Sequence, residues 1–302
     1  MSSTFRAAVV RTPGGPESIE IIDVPVVEPG PGQVRVRIAG ASVNPVDLAL
    51  AAGVFHGMGL VHQPHHTGLG WDFAGTVAAV GPGVDVPVGR RVAGLVDGFD
   101  RDFGTYAEQL VVAAGDIAPV PDGFDLTSAA AVPLNALAAA QLLDLLGDGA
   151  GQRLLVTGAA GAVGGNLLAL APERDWQVTG LARAEDEAFV RSLGADFIAE
   201  PTPGWDAVAD AAALQERALT LVRDGGALVG VKPGAGPPAE RGITVQAVVA
   251  HPDGARLGPL LEATASGRLP VRIHAVVPLD QAAAAHRAAS QAGVRGKYVL
   301  QP

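Results

Sequence analysis

A glycine-rich turn in the second half of the chain has the residue types and spacing of a dinucleotide-binding site. An apolar strand over residues 154–157 leads into Gly158, Gly161 and Gly164, and an apolar helical segment follows. Glycines lack a Cβ atom, so the turn can close tightly and a pyrophosphate can approach the amide groups at the start of the helix. The spacing differs from the common G-x-G-x-x-G fingerprint, which leaves a purely structural turn as the alternative.

A second strand, over residues 177–182, completes a βαβ unit of roughly 30 residues, the size that such units need. This order of strand, turn and helix favours the nucleotide-binding interpretation. We therefore predict that the cofactor contacts one run of consecutive residues. These are Gly158, Ala159, Ala160, Gly161, Ala162, Val163 and Gly164.

The end of the second strand indicates which cofactor is bound. An acidic residue there would bind the adenosine ribose hydroxyls, whereas an arginine can pair with a 2′-phosphate in a forked geometry. The strand ends at Ala182 and Arg183 follows, so we predict NADPH. In the alternative, Arg183 pairs on the surface with one of the acids at positions 185–187.

Val231 and Lys232 follow another strand, and we expect them beneath the cofactor, where the carboxyl ends of parallel strands lie.

The composition limits the class of protein. The 302 residues suffice for two domains, and no apolar run approaches the roughly 18 residues of a membrane span. The N-terminus lacks the pattern of a signal peptide, so we expect a cytoplasmic protein without a membrane partner. A formal net charge of −10 argues against binding nucleic acid through bulk electrostatics. The chain has no cysteine, which excludes disulfides, thiolate nucleophiles and cysteine-bound zinc.

The pattern of the chain changes near residue 126. Before it, short apolar runs between proline and glycine clusters predict an antiparallel β domain. After it, strands alternate with helices, which predicts a doubly wound parallel sheet. The predicted strands are 19–24, 33–38, 75–80, 91–95, 107–112, 154–157, 177–182, 196–199, 207–209, 227–231 and 244–249, and the predicted helices are 129–146, 214–222, 255–265 and 280–292.

Several motifs occur in an order that points to a known family. They are Gly14-Gly15-Pro16, the segments 42–47, 70–77 and 104–108, the glycine turn, and the segment 295–300. Together they resemble the zinc-free quinone oxidoreductase branch of the medium-chain dehydrogenase/reductase superfamily. The resemblance implies an α/β fold in which a GroES-like β domain, residues 1–122 and 266–302, accompanies a Rossmann NADP-binding domain, residues 123–265. It also implies a cleft between the two domains and a homodimer.

The same resemblance suggests which residues line the cleft. It places Asn44 beside the nicotinamide as a catalytic amide, although an asparagine before a proline can simply hold a turn. Asp47 is expected either in the cleft or as the cap of the helix that follows it. Phe55 and Trp71 are expected to form an apolar wall for a flat substrate, with core packing as the alternative. Asn135 lies in a segment that borders the nicotinamide in the family.

The sequence argues against a metal. Zinc-dependent relatives supply a histidine and an acid from a Gly-His-Glu motif plus a cysteine, and this chain has Gly70-Trp71-Asp72 and no cysteine. A histidine group, His56, His62, His65 and His66, lies nearby in a loop whose spacing fits no compact ligand pattern. These histidines could instead line a substrate loop, lie in solvent, or supply a proton near neutral pH.

We therefore predict an NADPH-dependent oxidoreductase that transfers hydride to a quinone or an α,β-unsaturated carbonyl. The enolate formed from such a substrate can take its proton from water, whereas the alkoxide from a saturated ketone is far more basic and favours zinc or a strong acid. Two alternatives stay open. One is a biosynthetic enoyl or ketone reductase acting on a larger metabolite, and the other is a non-catalytic NADPH-binding sensor.

Overall fold

The computed structural model describes residues 4–291 and 293–302. The chain divides into two compact units. The first comprises Met1–Leu134, His251–Ala265 and Val271–Pro302, and the second comprises Asn135–Ala250 and Ser266–Pro270. Every helix in the described part of the chain is too short or too polar to cross a membrane.

The helices and strands are numbered here in chain order. They are β1 (Thr4–Val10), β2 (Ile19–Pro25), β3 (Gln33–Ser42), α1 (Pro45–Ala51), α2 (Val54–Gly57), β4 (Thr67–Gly68), β5 (Asp72–Val80), β6 (Arg91–Leu95), β7 (Gln109–Ala113), β8 (Ile117–Pro119), α3 (Leu126–Ala129), α4 (Pro133–Leu146), β9 (Arg153–Thr157), α5 (Ala162–Leu170), β10 (Gln177–Leu181), α6 (Glu187–Ser192), β11 (Asp196–Ile198), β12 (Trp205–Asp210), α7 (Glu216–Leu219), β13 (Val222–Gly230), β14 (Thr244–Ala247), α8 (Gly254–Ala265), β15 (Ile273–Pro278), α9 (Ala282–Ala289) and β16 (Lys297–Gln301).

The first unit is built from mainly antiparallel sheets. The larger sheet has the order β15-β16-β3-β5-β6-β8, with β7 paired to β3, and a smaller sheet has the order β2-β1-β4. Strand β3 shows why these residues form a strand, since Val34, Val36 and Ile38 alternate inward toward the core. The antiparallel prediction for the first part of the chain is confirmed, and β15 and β16, which lie outside the predicted segment, run parallel to each other. The carboxyl end of β3, the start of β5 and the start of β16 supply the polar residues described below.

The second unit is a parallel sheet with the order β11-β10-β9-β12-β13-β14. This is the strand order 3-2-1-4-5-6 of a doubly wound Rossmann fold, as predicted. Leu154, Leu155 and Val156 are all fully enclosed, because helices and loops cover both faces of the central strand β9. The glycine turn follows β9 directly and begins α5, so it lies at the carboxyl edge of the sheet.

Two predicted helices have different bounds in the structure. The segment predicted as one helix over 129–146 is divided into α3 and α4, since Pro133 lacks an N–H group and suits only the first turn of a helix. Most of the predicted helix 214–222 is absent. Only α7 is helical, and Val222 already belongs to β13, where a register irregularity against β12 accommodates the Asp224-Gly225-Gly226 segment within the strand.

The boundary between the units also differs from the expected division at residue 122/123. Residues 251–265, expected in the Rossmann domain, belong to the first unit. The reason is visible at the start of α8, where Gly254 packs so closely on β8 that a Cβ atom would lie 2.3 Å from the carbonyl oxygen of Ile117. Residues 123–134 likewise belong to the first unit, and residues 266–270 belong to the second.

Candidate functional site

The glycine turn has the geometry of a phosphate cradle. Gly158 has a φ of +60°, in the left-handed region that favours glycine. A Cβ atom on Gly164 would lie 2.2 Å from the carbonyl oxygen of Gly158, so only glycine allows α5 to start this close to the turn. The amide groups of the first turn of α5, which begins at Ala162, have no partners within the helix and carry the positive end of its dipole. A dinucleotide pyrophosphate therefore fits this turn.

A buried hydrogen-bond network behind the turn was not predicted. The Thr157 hydroxyl at the end of β9 donates to Asp210 Oδ1 at 2.6 Å. The second carboxylate oxygen of Asp210 accepts the backbone N–H of Gln215 at 2.9 Å, and the Thr157 oxygen accepts the N–H of Ala212 at 3.2 Å. Both Thr157 and Asp210 are buried. They fix the loop after β12 against the glycine turn, where Ala212 approaches Gly158.

The other predicted cofactor residues also lie in the second unit. Arg183 follows β10, and its side chain is 54% exposed and 3.9 Å from the carboxylate of Glu185. This long, exposed ion pair is the alternative considered for Arg183 from the sequence. Because such a pair is weak, the guanidinium can still bind a phosphate. Val231 follows β13, is half-buried, and donates its N–H to the carbonyl of Asp210 at 3.3 Å. Lys232 is exposed, and Asn135 is buried in the first turn of α4.

The first unit contains a cluster of buried polar side chains at the end of β3. Asn44 is only 1% exposed. Its amide nitrogen donates to Asp72 Oδ1 at 3.0 Å and lies 3.2 Å from both oxygens of Ser42, and its amide oxygen accepts the Lys297 ammonium at 2.5 Å. Ser42 also donates to Asp72 Oδ1, at 2.8 Å. The Asn44 amide is therefore a hub of the cluster, and direct contact with a substrate stays a prediction.

Asp47 connects this cluster to the next loop. Asp47 is not the N-cap of the following helix, because α1 begins at Pro45 with Asn44 as its N-cap and Asp47 is the third helical residue. Its Oδ2 accepts the backbone N–H of Asn44 at 2.9 Å in a capping box, and its Oδ1 accepts the N–H of Gly70 at 3.0 Å. Burial raises the pKa of Asp47 to about 7, and the hydrogen bond from Asn44 partly opposes this shift. Burial also raises the pKa of Asp72 and lowers that of Lys297, whose positive charge lowers the pKa of both carboxyl groups.

Phe55 and Trp71, the two residues expected to form an aromatic wall, lie in the first unit and both contact a third aromatic ring, Phe99, while their contact with a substrate stays a prediction. Phe55 stacks on Phe99, with ring centroids 3.9 Å apart and an interplanar angle of 22°. Phe99 also contacts Trp71 at 5.5 Å, and the Arg101 guanidinium lies 5.1 Å from the Trp71 ring centroid. Phe99 and Arg101 were not singled out in the sequence. Trp71 is 5% exposed, so the core-packing alternative describes much of its surface.

The four loop histidines make separate contacts. His56 Nε2 lies 3.3 Å from the Thr67 hydroxyl, and burial lowers the pKa of His56. His62 contacts Asp100 through its backbone N–H at 2.9 Å and its ring at 3.3 Å. The rings of His66 and Phe103 are 5.4 Å apart, and His65 is exposed. A substrate contact from any of these histidines stays a prediction.

The donor set does not fit the zinc site of the dehydrogenase relatives. The position of the histidine ligand holds Trp71, whose indole nitrogen is a donor only, and the sequence contains no cysteine. The acid at the next position, Asp72, is bound by Ser42 and Asn44. Within residues 4–291 and 293–302, histidine and acidic side chains form no group of three that could hold a metal ion.

A buried histidine gives an acid-stability prediction. His286 and Tyr106 are fully enclosed and 3.2 Å apart, and burial lowers the pKa of His286 to about 4. A histidine kept neutral by the fold stabilises it above its unfolded pKa of about 6.5, and this contribution is lost as the pH falls toward about 4. In urea titrations at several pH values, we expect the stability advantage of the wild type over His286→Phe to shrink by about 3 kcal/mol across this interval. A constant difference would contradict the shift.

Two family models match the chain. One, described as the alcohol dehydrogenase GroES-like domain, matches residues 30–122, and the other, described as zinc-binding dehydrogenase, matches residues 183–300. Among curated proteins, the phthioceranic/hydroxyphthioceranic acid synthase of Mycobacterium tuberculosis is 30% identical over 326 residues. That alignment covers 96% of this chain and 15% of the synthase, so the chain spans less than a sixth of that relative's length.

Solved structures resemble the whole chain. An NAD-dependent alcohol dehydrogenase is 30% identical with a TM-score of 0.83, over 98% of this chain and 99% of the other. A quinone oxidoreductase from Pseudomonas syringae pv. tomato is 25% identical with a TM-score of 0.81, over 99% of this chain and all of the other. Both of the predicted domain types and the predicted superfamily are thereby confirmed. The chain belongs to the medium-chain dehydrogenase/reductase superfamily.

Proposed function

We propose that this oxidoreductase is a zinc-independent, NADPH-dependent reductase of quinones or α,β-unsaturated carbonyls. The observation that carries the proposal is the glycine turn, which leaves no space for a side chain at Gly164 and so suits a bound pyrophosphate. In the same chain, the Gly70-Trp71-Asp72 segment does not fit zinc. The second family model has zinc binding in its description, but the residues here supply no site for that metal. A reduced nicotinamide supplies the hydride, so the protein must bind, orient and shield the reactants.

The residues of the chain account for these tasks in turn. The amide groups at the start of α5 bind the pyrophosphate, and Arg183 is the candidate partner of the 2′-phosphate. Phe55, Phe99 and Trp71 provide an apolar surface for a flat, conjugated acceptor. The enolate product can take its proton from solvent, so the reaction needs no side-chain acid in this class of substrate.

An oligomer is also part of the proposal. Strand β14 lies at one end of the Rossmann sheet, and Val249 just beyond it is exposed. An uncovered sheet edge readily pairs with another strand. We propose that two copies of the chain associate through this edge as a homodimer.

A second candidate function is favoured by the curated relatives. The M. tuberculosis relative is named as an acid synthase, and another, 36% identical over 55% of this chain, is the pikromycin polyketide synthase component PikAII of Streptomyces venezuelae. Chain-building systems of this kind handle acyl intermediates, so reduction of an enoyl thioester during biosynthesis is the alternative substrate class. The reaction is the same for both substrate classes, since the hydride is again added to the β carbon of a conjugated carbonyl.

Acceptor preference separates these functions. The protein is saturated with NADPH and given benzoquinone, cyclohexenone, a crotonyl thioester or cyclohexanone, while nicotinamide absorbance is followed. The primary proposal predicts rapid oxidation with the quinone or the enone and none with the saturated ketone. Preference for the thioester would select the biosynthetic function. Binding of NADPH without oxidation by any acceptor would contradict both and support the sensor.

Cofactor choice gives a separate prediction. Arg183→Ala should weaken NADPH binding by on the order of 2 kcal/mol and leave NADH binding nearly unchanged, because only NADPH offers a phosphate to the guanidinium. Fluorescence titration with both cofactors measures the difference. Arg191→Ala is the matched control, since Arg191 is a similarly exposed arginine paired to Glu187 at 2.7 Å. Equal effects of Arg183→Ala on NADPH and NADH would refute the assignment.

A further inference from the structure

Buried polar atoms without a hydrogen-bond partner concentrate around one short segment of the first unit. Among the residues that the structure describes, these include the indole Nε1 of Trp71, the guanidinium Nε of Arg101, the hydroxyl of Thr105 and one acceptor, Asp72 Oδ2. Arg101 Nη2 donates to the carbonyl of Gly70, the residue before Trp71, and the Thr105 N–H donates to the same carbonyl at 3.3 Å. Unpaired buried donors are unfavourable, so such a concentration indicates a missing partner.

The chemistry of the two nitrogen groups defines that partner. An indole N–H and a guanidinium N–H can only donate, so the missing group must be an acceptor. The remaining nitrogens of Arg101 hold the side chain in place, since Nη1 donates to the carbonyls of Val96 and Asp97 at 3.3 and 3.2 Å. The Arg101 donor is therefore fixed by hydrogen bonds, and the Trp71 donor belongs to a buried ring packed against Phe99.

The charge of Arg101 favours an oxygen that becomes negative. Among the described residues, no carboxylate lies within ion-pair distance of its guanidinium, which contacts backbone carbonyls and the Trp71 ring instead. Burial lowers the pKa of Arg101 to about 10, so the group is still cationic at neutral pH. The charges of Asp47 and Asp97 raise the pKa of Arg101 without forming an ion pair with it, so the cation is only partly compensated. Fixed donors beside such a cation stabilise an oxyanion more than they stabilise a neutral carbonyl.

We propose that the Trp71 indole N–H and the Arg101 Nε–H are the donor pair that holds the carbonyl oxygen of the acceptor, which rests on the reductase function proposed above. The hydride of NADPH bonds to the β carbon, the π electrons shift, and the carbonyl oxygen becomes an enolate oxygen bound by the two donors. The α carbon then takes a proton from solvent, which gives the saturated carbonyl and NADP⁺. Both donors keep their protons throughout.

The aromatic wall explains how such a site is closed before a substrate binds. Phe99 packs against Trp71 and stacks on Phe55, and the donor atoms of Trp71 and Arg101 are shielded from solvent in this state. In this proposal, a flat acceptor reaches the two donors when the ring of Phe99 rotates away from Trp71. The acceptor would then replace one aromatic contact by another, so the apolar surface stays covered.

The test is Trp71→Phe, which removes the indole N–H and keeps an aromatic ring. We expect kcat for cyclohexenone to fall at least about tenfold, as for the loss of one oxyanion donor, while the Kd for NADPH stays unchanged. We also expect Tm to fall less than in the control variant below, because both variants lose the same ring volume but Trp71→Phe deletes only a donor that has no partner in the free protein. If Trp71 is purely structural, the variant should lower Tm as much as the control variant does and leave kcat unchanged.

Trp205→Phe is the matched control. The Arg153 guanidinium lies 5.2 Å from the Trp205 ring centroid, which reproduces the stacking at Trp71, but Trp205 Nε1 already donates to the Thr202 carbonyl at 2.7 Å. This variant should lower Tm and leave kcat unchanged. If Trp71→Phe keeps full activity, or loses Tm as Trp205→Phe does, the donor pair is refuted.

Infrared difference spectroscopy of bound cyclohexenone tests the pair without turnover. Two hydrogen bonds should lower the C=O stretching frequency in the wild-type complex, and Trp71→Phe and Arg101→Lys should each shift it back toward the value in water. An unchanged frequency in both variants would show that the donors hold only buried water, which overturns the proposal. If the wild type reduces no acceptor, the reductase function fails, and the C=O frequency still decides whether the donor pair binds a carbonyl.

Discussion

Gly164→Ala should abolish tight binding of NADPH. A Cβ atom at this position would lie 2.2 Å from the carbonyl oxygen of Gly158 and 2.9 Å from the Cα atom of Ala159, closer than real Cβ atoms approach. Both contacts are backbone, so the turn or the start of α5 must move. The amide N–H groups would then no longer point at the pyrophosphate together. We expect NADPH to bind at least about 100-fold more weakly, which is a loss of about 3 kcal/mol of binding free energy. Fluorescence titration measures it.

Gly258→Ala is the control for this substitution. Gly258 lies within α8 in the first unit, and a Cβ atom there meets nothing within 4 Å. Alanine in a helix interior is favoured over glycine by roughly 0.5–1 kcal/mol, so this variant should be slightly more stable and bind NADPH normally. If Gly164→Ala binds NADPH as tightly as Gly258→Ala does, the cofactor does not occupy the glycine turn.

Lys297→Met should produce the largest loss of stability. The ammonium donates to Asn44 at 2.5 Å, and its charge lowers the pKa of Asp72 and Asp47, both fully enclosed. Methionine keeps the length of the side chain and removes the charge, which leaves two buried carboxyl groups without that cation. Lys297 is half-buried and bonds Asn44 rather than a carboxylate, so we expect a loss at the lower end of the range for a broken buried charge pair, about 3 kcal/mol, in urea unfolding at neutral pH.

The dependence of this loss on pH identifies its cause. Removing the ammonium raises the folded-state pKa of both carboxyl groups further above their unfolded values, so the variant should lose stability as the pH rises from about 4 through 7. Near pH 4 the carboxyl groups are protonated and the difference from the wild type should be small. The double variant Lys297→Met/Asp72→Asn should recover part of the loss at neutral pH. A loss that is the same at both pH values would show that Lys297 acts through packing alone.

The sequence predicted features that depend on neighbours along the chain. The glycine turn, its strand and its helix form one continuous segment, and the constraint at Gly158 and Gly164 is a property of the backbone. The predicted helix over 214–222 is too long, because only α7 within it is helical and Val222 pairs with β12 in the sheet. Sheet pairing overrides local helix preference, and a single sequence does not show with which strand a segment will pair.

The polar cluster and the donor pair depend on residues that are distant in sequence. Lys297 meets Asn44 across 253 positions, and Arg101 reaches the carbonyl of Gly70 across 31. Strand pairing between β16 and β3 places Lys297 in this cluster. No local pattern marks these residues, and the unpaired state of the Trp71 and Arg101 nitrogens is visible only once all their neighbours are in place.

Single-turnover reduction tests the proposed function most directly. The protein, saturated with NADPH and freed of excess cofactor and of metal by chelation, is mixed in a stopped-flow instrument with benzoquinone or cyclohexenone while the nicotinamide absorbance is recorded. The proposal predicts a stoichiometric loss of reduced nicotinamide at a rate that saturates with acceptor concentration and is unaffected by added zinc. Reduced cofactor that persists with every acceptor, or turnover that appears only when zinc is restored, would contradict a zinc-independent reductase.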